Sequence, residues 1–225
     1  MDFARPLHTV TPTLDGDVLA VLAGADAELS GRRVHQLVGH SSEQGVRKTL
    51  DRLVEQGIAS SRRAGQAKLY QLNRDHLAAR HIEGLAALRS ELLQRLRETV
   101  KQWKVEPVAA LLFGSVARRE AGAQSDLDLL VIRPARCDAD AKPWRDQVSR
   151  LQQAATAWTG NDSRVLEFGE EELREGLGER EPVLVDAVKD GIEIAGSLRQ
   201  LRRLIGARGP QPRGLGAVEG AARWE

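Results

Sequence analysis

The chain has 225 residues, 33 Lys and Arg against 32 Asp and Glu, a net charge of +1 and 41% apolar residues. That length admits two small domains or one large one, and the balanced charge excludes a chain-wide polyanion-binding surface, so any nucleic-acid contact must be a local patch. The single cysteine, Cys137, excludes an intramolecular disulfide framework, and no apolar run is long enough to span a bilayer, so the expectation is a soluble, cytoplasmic protein with no membrane partner.

Residues 1–13 carry Pro6 and Pro12 without periodicity and are expected to be a flexible arm. Over residues 14–74 the pattern is that of a small domain. Leu14, Val18, Leu19, Val21 and Leu22 recur at helical spacing up to Gly24, and a second helix covers 31–38 before Gly39. Ser42 is placed to cap a third helix from Glu43 to about residue 56, with Val46, Leu50, Leu53 and Val54 as its apolar stripe. Residues 58–61 and 67–72 read as strands around the basic turn Arg62-Arg63-Ala64-Gly65-Gln66. Three helices closed by a hairpin resemble a winged helix-turn-helix, in which the third helix would enter the major groove of DNA. Gln44, Arg47, Lys48 and Arg52 on that helix, with Arg62, Arg63 and Lys68 in the wing, are the candidate DNA contacts. The competing reading of the same pattern is a dimerisation or partner-docking module.

Residues 75–104 read as one long connecting helix with Leu77, Ile82, Leu85, Leu88, Leu92, Leu93 and Leu96 in its stripe. The part before Gly84 is expected to pack with the first domain and the remainder under the second, and such a helix can also serve as a homodimer interface. Pro107 then breaks the helix, and residues 105–205 are expected to form the second domain. It runs strand 108–113, turn at Gly114-Ser115, helix 116–121, strand 126–133, helix 143–159, strand 164–168, helix 170–177, a helix after Pro182, a short strand at 192–194 and a last helix at 198–205. The Gly, Pro and Arg content of 206–225 predicts a disordered tail. The scattered histidines, among them His35 and His40, lack metal-ligand spacing, and Trp144 and Trp158 fit a buried helix stripe.

The chemistry concentrates between residues 111 and 132. Residues two apart on a strand share a face, so Asp126 and Asp128 project together, about 6–7 Å apart at Cα, while Leu127, Leu129 and Val131 cover the other side. Two adjacent carboxylates repel unless a cation lies between them, and a hard divalent ion sharing phosphate oxygens suits them. Gly114-Ser115, where a strand turns into a helix, offers backbone N–H groups and a hydroxyl to an anion. Together these parts point to a nucleoside triphosphate site.

Gly114-Ser115-Val116-Ala117-Arg118, followed by Ser125-Asp126-Leu127-Asp128-Leu129, resembles the minimal bacterial members of the nucleotidyltransferase superfamily that includes DNA polymerase beta. The likeness covers about residues 105–196 and implies an α+β chain, with a small mixed sheet flanked by helices following the N-terminal winged helix. It implies that Gly114, Ser115, Arg118 and Ser125 bind the nucleotide, and that Asp126 and Asp128 hold two Mg²⁺ ions, or Mn²⁺ in their place. For Arg118 a salt bridge to a neighbour is the alternative role. Active relatives add a third carboxylate on the next strand. Glu167 is the candidate, because a charge in an apolar strand is unfavourable to bury without a partner and so should face the site; Asp162 is its competitor. The implied reaction moves a nucleoside monophosphate from an NTP, ATP being the expected donor, to a hydroxyl of a protein or RNA acceptor. Relatives of this type act on protein tyrosines in toxin–antitoxin pairs, on tRNA 3′ ends or on aminoglycosides. The alternative is a DNA-binding regulator whose transferase domain senses nucleotide or is inactive.

Overall fold

Two hydrophobic cores organise the chain, and in the computed structural model residues 1–174 and 181–205 are described. The tail expected at 206–225, and the end of the helix expected at 170–177, lie outside those residues. The first core belongs to α1 (Leu14–Ala23), β1 (Leu29–Ser30), α2 (Gly31–Val38), α3 (Glu43–Glu55), β2 (Ala59–Ala64) and β3 (Ala67–Leu72). Ser30 and Ser42 cap α2 and α3 by accepting the Arg33 and Gly45 N–H groups at 3.2 and 3.0 Å. Val18, Leu22, Val34, Val46, Leu50 and Leu53 fill the space between the helices. The antiparallel hairpin turns at Gly65-Gln66, and β1 pairs with the other side of β3 to give the order β1-β3-β2. At two residues, β1 is too short for any periodicity to announce it.

The connecting helix is not continuous. It divides into α4 (Ala79–Ala86) and α5 (Leu88–Lys101), and the Ala87 N–H reaches back to both Glu83 O and Gly84 O. Ala79 and Ile82 of α4 enter the first core, whereas Leu92, Leu93, Leu96 and Val100 of α5 enter the second. The two stripes serve two cores, and the break falls at Ala87, between the halves that pack in each.

The second core surrounds a four-stranded mixed sheet ordered β6-β5-β4-β7, built from β4 (Ala109–Phe113), β5 (Leu127–Arg133), β6 (Ser163–Gly169) and β7 (Ile192–Gly196). β4 is antiparallel to β5 and β7, and β5 is parallel to β6 through the crossover helix α7 (Lys142–Thr159). Strand alternation sends Leu127, Leu129 and Val131 towards α5 and α7, and Leu130 and Ile132 towards the other side. That other side is covered by α8 (Glu170–Arg174), α9 (Pro182–Asp190) and α10 (Leu198–Ile205) through Leu173, Leu184, Ala187 and Leu201. A short helix, α6 (Gly114–Arg118), follows β4. Among the described residues no helix is long and apolar enough to cross a membrane.

The N-terminal residues are not a loose arm. Phe3 is 3% exposed in the sheet core and Leu7 is 2% exposed in the helical core, with a 3₁₀ turn over Pro6–Thr9. The Ala4 N–H donates to Ala121 O at 3.1 Å, and Arg5 grips the buried Asp17 carboxylate through Nε and Nη2 at 3.0 and 2.7 Å. One apolar side chain for each core anchors a segment whose sequence has no period to reveal it. Phe3→Ala is expected to cost about 3 kcal/mol in denaturant unfolding, the range for emptying a buried phenylalanine site. Val10→Ala, at a position 61% exposed, should change stability by less than about 0.5 kcal/mol. Equal, small effects would show that the segment does not contribute to the core.

Candidate active site

β4 ends at Phe113, and the backbone turns at Gly114 with φ +71°. A Cβ at this position would lie 2.5 Å from Asp128 Oδ2. Glycine is therefore required twice, for the left-handed backbone and for the approach of the carboxylate. Ser115 follows, its hydroxyl without a hydrogen-bond partner among the described residues. The far end of α6 is held from α5: Arg89 donates to Val116 O and Ala117 O at 3.2 and 2.9 Å, satisfying carbonyls at a helix C-terminus.

The turn before β5 is held equally firmly. Ser125 Oγ accepts the Gly122 N–H at 3.0 Å, so this hydroxyl works inside the turn that delivers Asp126. Asn161, 3% exposed, donates through Nδ2 to Ser125 O at 2.8 Å. Asp128 pairs with Phe113 on β4 and with Arg164 on β6, so all three lie on the Leu130 and Ile132 side of the sheet. Burial, and then the Asp126 charge beside it, push the Asp128 carboxyl above its ordinary value, and Arg164 and Arg118 offset part of that rise. Arg164 Nη2 lies 2.9 Å from Asp126 Oδ2, and its Nε 3.8 Å from Asp162 Oδ2.

Glu167 does not join the pair. It lies beside Val131, on the opposite face of the sheet from Asp128, and accepts from Arg133 Nε at 2.9 Å. The charge in the apolar strand is satisfied by a cation on the neighbouring strand, not by the site. Asp162, the competitor, is the carboxylate nearer the pair, sharing Arg164 with Asp126. Arg118 donates to Glu120 Oε2 at 2.9 Å, while its charge still acts on Asp128. Among the described residues no group of three or more His, Cys, Asp or Glu could enclose a metal by itself. Asp126 and Asp128 nevertheless fit a Mg²⁺ ion: both are hard oxygen donors, and their mutual repulsion calls for a cation.

The basic residues of the first domain divide. Arg47, Arg63 and Lys68 line a cleft of about 470 Å³ between α3 and the hairpin, joined there by Arg32, which the sequence pattern did not single out. Gln44 and Lys48 are exposed on α3. Arg52 instead pairs with Asp15 and Arg62 with Glu28, and Lys68 is held by Asp51 at 2.8 Å. Arg164, Asn161 and Arg89 carried no motif; their roles come from contacts between distant segments.

A carboxyl held above its ordinary value is most favourable to folding when protonated. In metal-free protein, Asp128 therefore contributes stability below the usual carboxylate range and loses it as the pH rises through its folded-state value. With chelator present, Asp128→Asn should melt higher than wild type at neutral pH, and the difference should shrink as the pH falls through the carboxylate range. Parallel melting-temperature profiles for the two proteins would refute the expectation.

Comparison with known proteins bears on the same stretch. No curated protein matches the chain. Two solved structures resemble it: a toxin-antitoxin with AMP-PNP, 14% identical with a TM-score of 0.35, and a mutant of the toxin-antitoxin MntA-HpeT, 11% identical with a TM-score of 0.34. Each covers 50% of this chain and 80% of its own. Residues 92–193, the stretch from α5 to β7 that builds the Asp126 and Asp128 site, match the family model described as a nucleotidyltransferase domain.

Proposed function

We propose that the protein is a Mg²⁺-dependent nucleotidyltransferase of the EC 2.7.7 type, moving a nucleoside monophosphate from an NTP, with ATP the expected donor, to a hydroxyl on a protein or RNA acceptor. The hydroxyl loses its proton, the new ester forms at the α-phosphorus, and the α–β anhydride bond breaks to release pyrophosphate. The observation that carries this reading is the Gly114 turn lying against the Asp128 carboxylate, with Asp126 at the head of the same strand. The Gly114-Ser115 backbone and the free Ser115 hydroxyl receive phosphate oxygens. Asp126 and Asp128 would hold the metal, which when bound would supply positive charge to neutralise the triphosphate. Arg118 reaches phosphate by leaving Glu120, an exposed pair that costs little to break.

A second reading, nucleotide sensing without transfer, is supported by the Arg164–Asp126 ion pair and by the engagement of Glu167 with Arg133. Labelled ATP, GTP, CTP and UTP, incubated with Mg²⁺ and cell lysate, separate the two. Transfer of label to a macromolecule that Asp126→Ala plus Asp128→Ala reduces at least 100-fold is the expected result, and protease or ribonuclease sensitivity of the label identifies the acceptor class. Nucleotide binding without any transfer would favour the sensor.

Residues 14–74 are read as a winged helix-turn-helix that binds DNA through the cleft lined by Arg32, Arg47 and Arg63. None of these three has an ion-pair partner among the described residues, so each is available to a phosphate. Binding to the protein's own promoter DNA should weaken with salt, and Arg47→Ala plus Arg63→Ala should reduce the slope of log affinity against log salt by about 2, one unit per lost phosphate contact. An unchanged slope would remove both residues from the DNA face.

A further inference from the structure

Given the nucleotidyltransferase reading, on which this step rests, we infer that Arg164 is the resident counter-cation of the site: it holds Asp126 until metal arrives, yields it, and then grips triphosphate oxygens. In the parallel register of β5 and β6, Arg164 stands directly beside Asp128 and on the same face. The residues that follow it on that face, Leu166 and Phe168, pack against the core, so Arg164 is the first position beyond the packed part of the sheet. Its guanidinium reaches along the strand ends to Asp126 at 2.9 Å and Asp162 at 3.8 Å.

Three properties make this more than a surface ion pair. First, the guanidinium is a cation seated on the Asp126 carboxylate that a divalent ion needs, and two cations cannot share it without repulsion. Second, the side chain is 62% exposed and contributes nothing to the hydrophobic clusters, so it can move without disturbing the fold. Third, the strand order β6-β5-β4 puts the Asp126 and Asp128 carboxylates between Arg164 on one flank and the Gly114-Ser115 turn on the other. A triphosphate received by that turn and drawn onto the carboxylates comes within reach of Arg164, whose planar fork matches phosphoryl oxygens. The position where a third carboxylate would strengthen metal binding is thus held by a residue that weakens it until nucleotide supplies compensating charge. Metal binding becomes dependent on nucleotide.

The test is Mn²⁺ titration of the full chain without nucleotide, followed by electron paramagnetic resonance, together with ATP affinity at saturating Mg²⁺. Arg164→Ala should bind Mn²⁺ about threefold to fivefold tighter, the scale of one exposed ion pair, while its ATP affinity falls by about fivefold. Arg164→Lys, which keeps the charge and loses the fork, should bind Mn²⁺ like wild type and ATP with intermediate affinity. A purely structural role cannot tighten metal binding. Unchanged or weaker Mn²⁺ binding in Arg164→Ala, or unchanged ATP affinity, overturns the inference. Failure of the underlying reading has a different signature: Mn²⁺ binding that survives Asp126→Asn plus Asp128→Asn.

Discussion

Much of the second domain is arranged around the repulsion between Asp126 and Asp128. Two carboxylates that share one end of one strand, one of them partly buried, destabilise the chain unless positive charge is brought to them. Arg164 supplies that charge from β6, and Arg118 adds a more distant share. The cost is tolerable because the rest of β5 is buried on both sides, with Leu127, Leu129 and Val131 against α5 and α7, and Leu130 and Ile132 beneath the C-terminal helices. An apolar strand of this kind is strong enough to carry an unfavourable polar end, which is where binding chemistry can be placed.

The loops on either side of the pair are held from a distance. Arg89, one residue into α5, ties the end of α6 and so steadies the turn at Gly114. Asn161, at the end of the α7 crossover, ties the turn that releases Asp126. The Ala4 N–H adds a third tie at Ala121 O, next to the same turn. Because Arg5 and Leu7 of the same segment anchor in the helical core, the first domain and the approach to β5 are joined through a few residues as well as through α4 and α5.

Several elements were legible from pattern alone. The stripes of α1, α3 and α7, the hairpin around Gly65 and the glycine-serine turn before the paired aspartates all follow from local periodicity and turn chemistry. The division of the long helix between two cores follows the expectation, with α4 in the first and α5 in the second, but the interruption at Ala87 was not legible because the apolar stripe runs through it unbroken. The arm was misread because two anchoring side chains, Phe3 and Leu7, make no period. Glu167 was misread for a related reason. An isolated charge in a strand needs a partner, but the partner can be a neighbouring strand's arginine, and that depends on register.

The amino-acid sequence by itself determined much of the local geometry: the strongly periodic helices, the apolar strands of the sheet, that Gly114 must turn, and that Asp126 and Asp128 project together. These follow from backbone sterics and from alternation, which act over a few residues. Only the tertiary structure decided what faces the aspartates, because the parallel register of β5 and β6 sets a residue 36 positions away in the chain beside Asp128. That register makes the neighbour Arg164 and turns Glu167 to the other face. A strand's own alternation fixes which residues share a face, but which residue of a distant strand comes alongside is settled only when the buried faces of the two segments pack together.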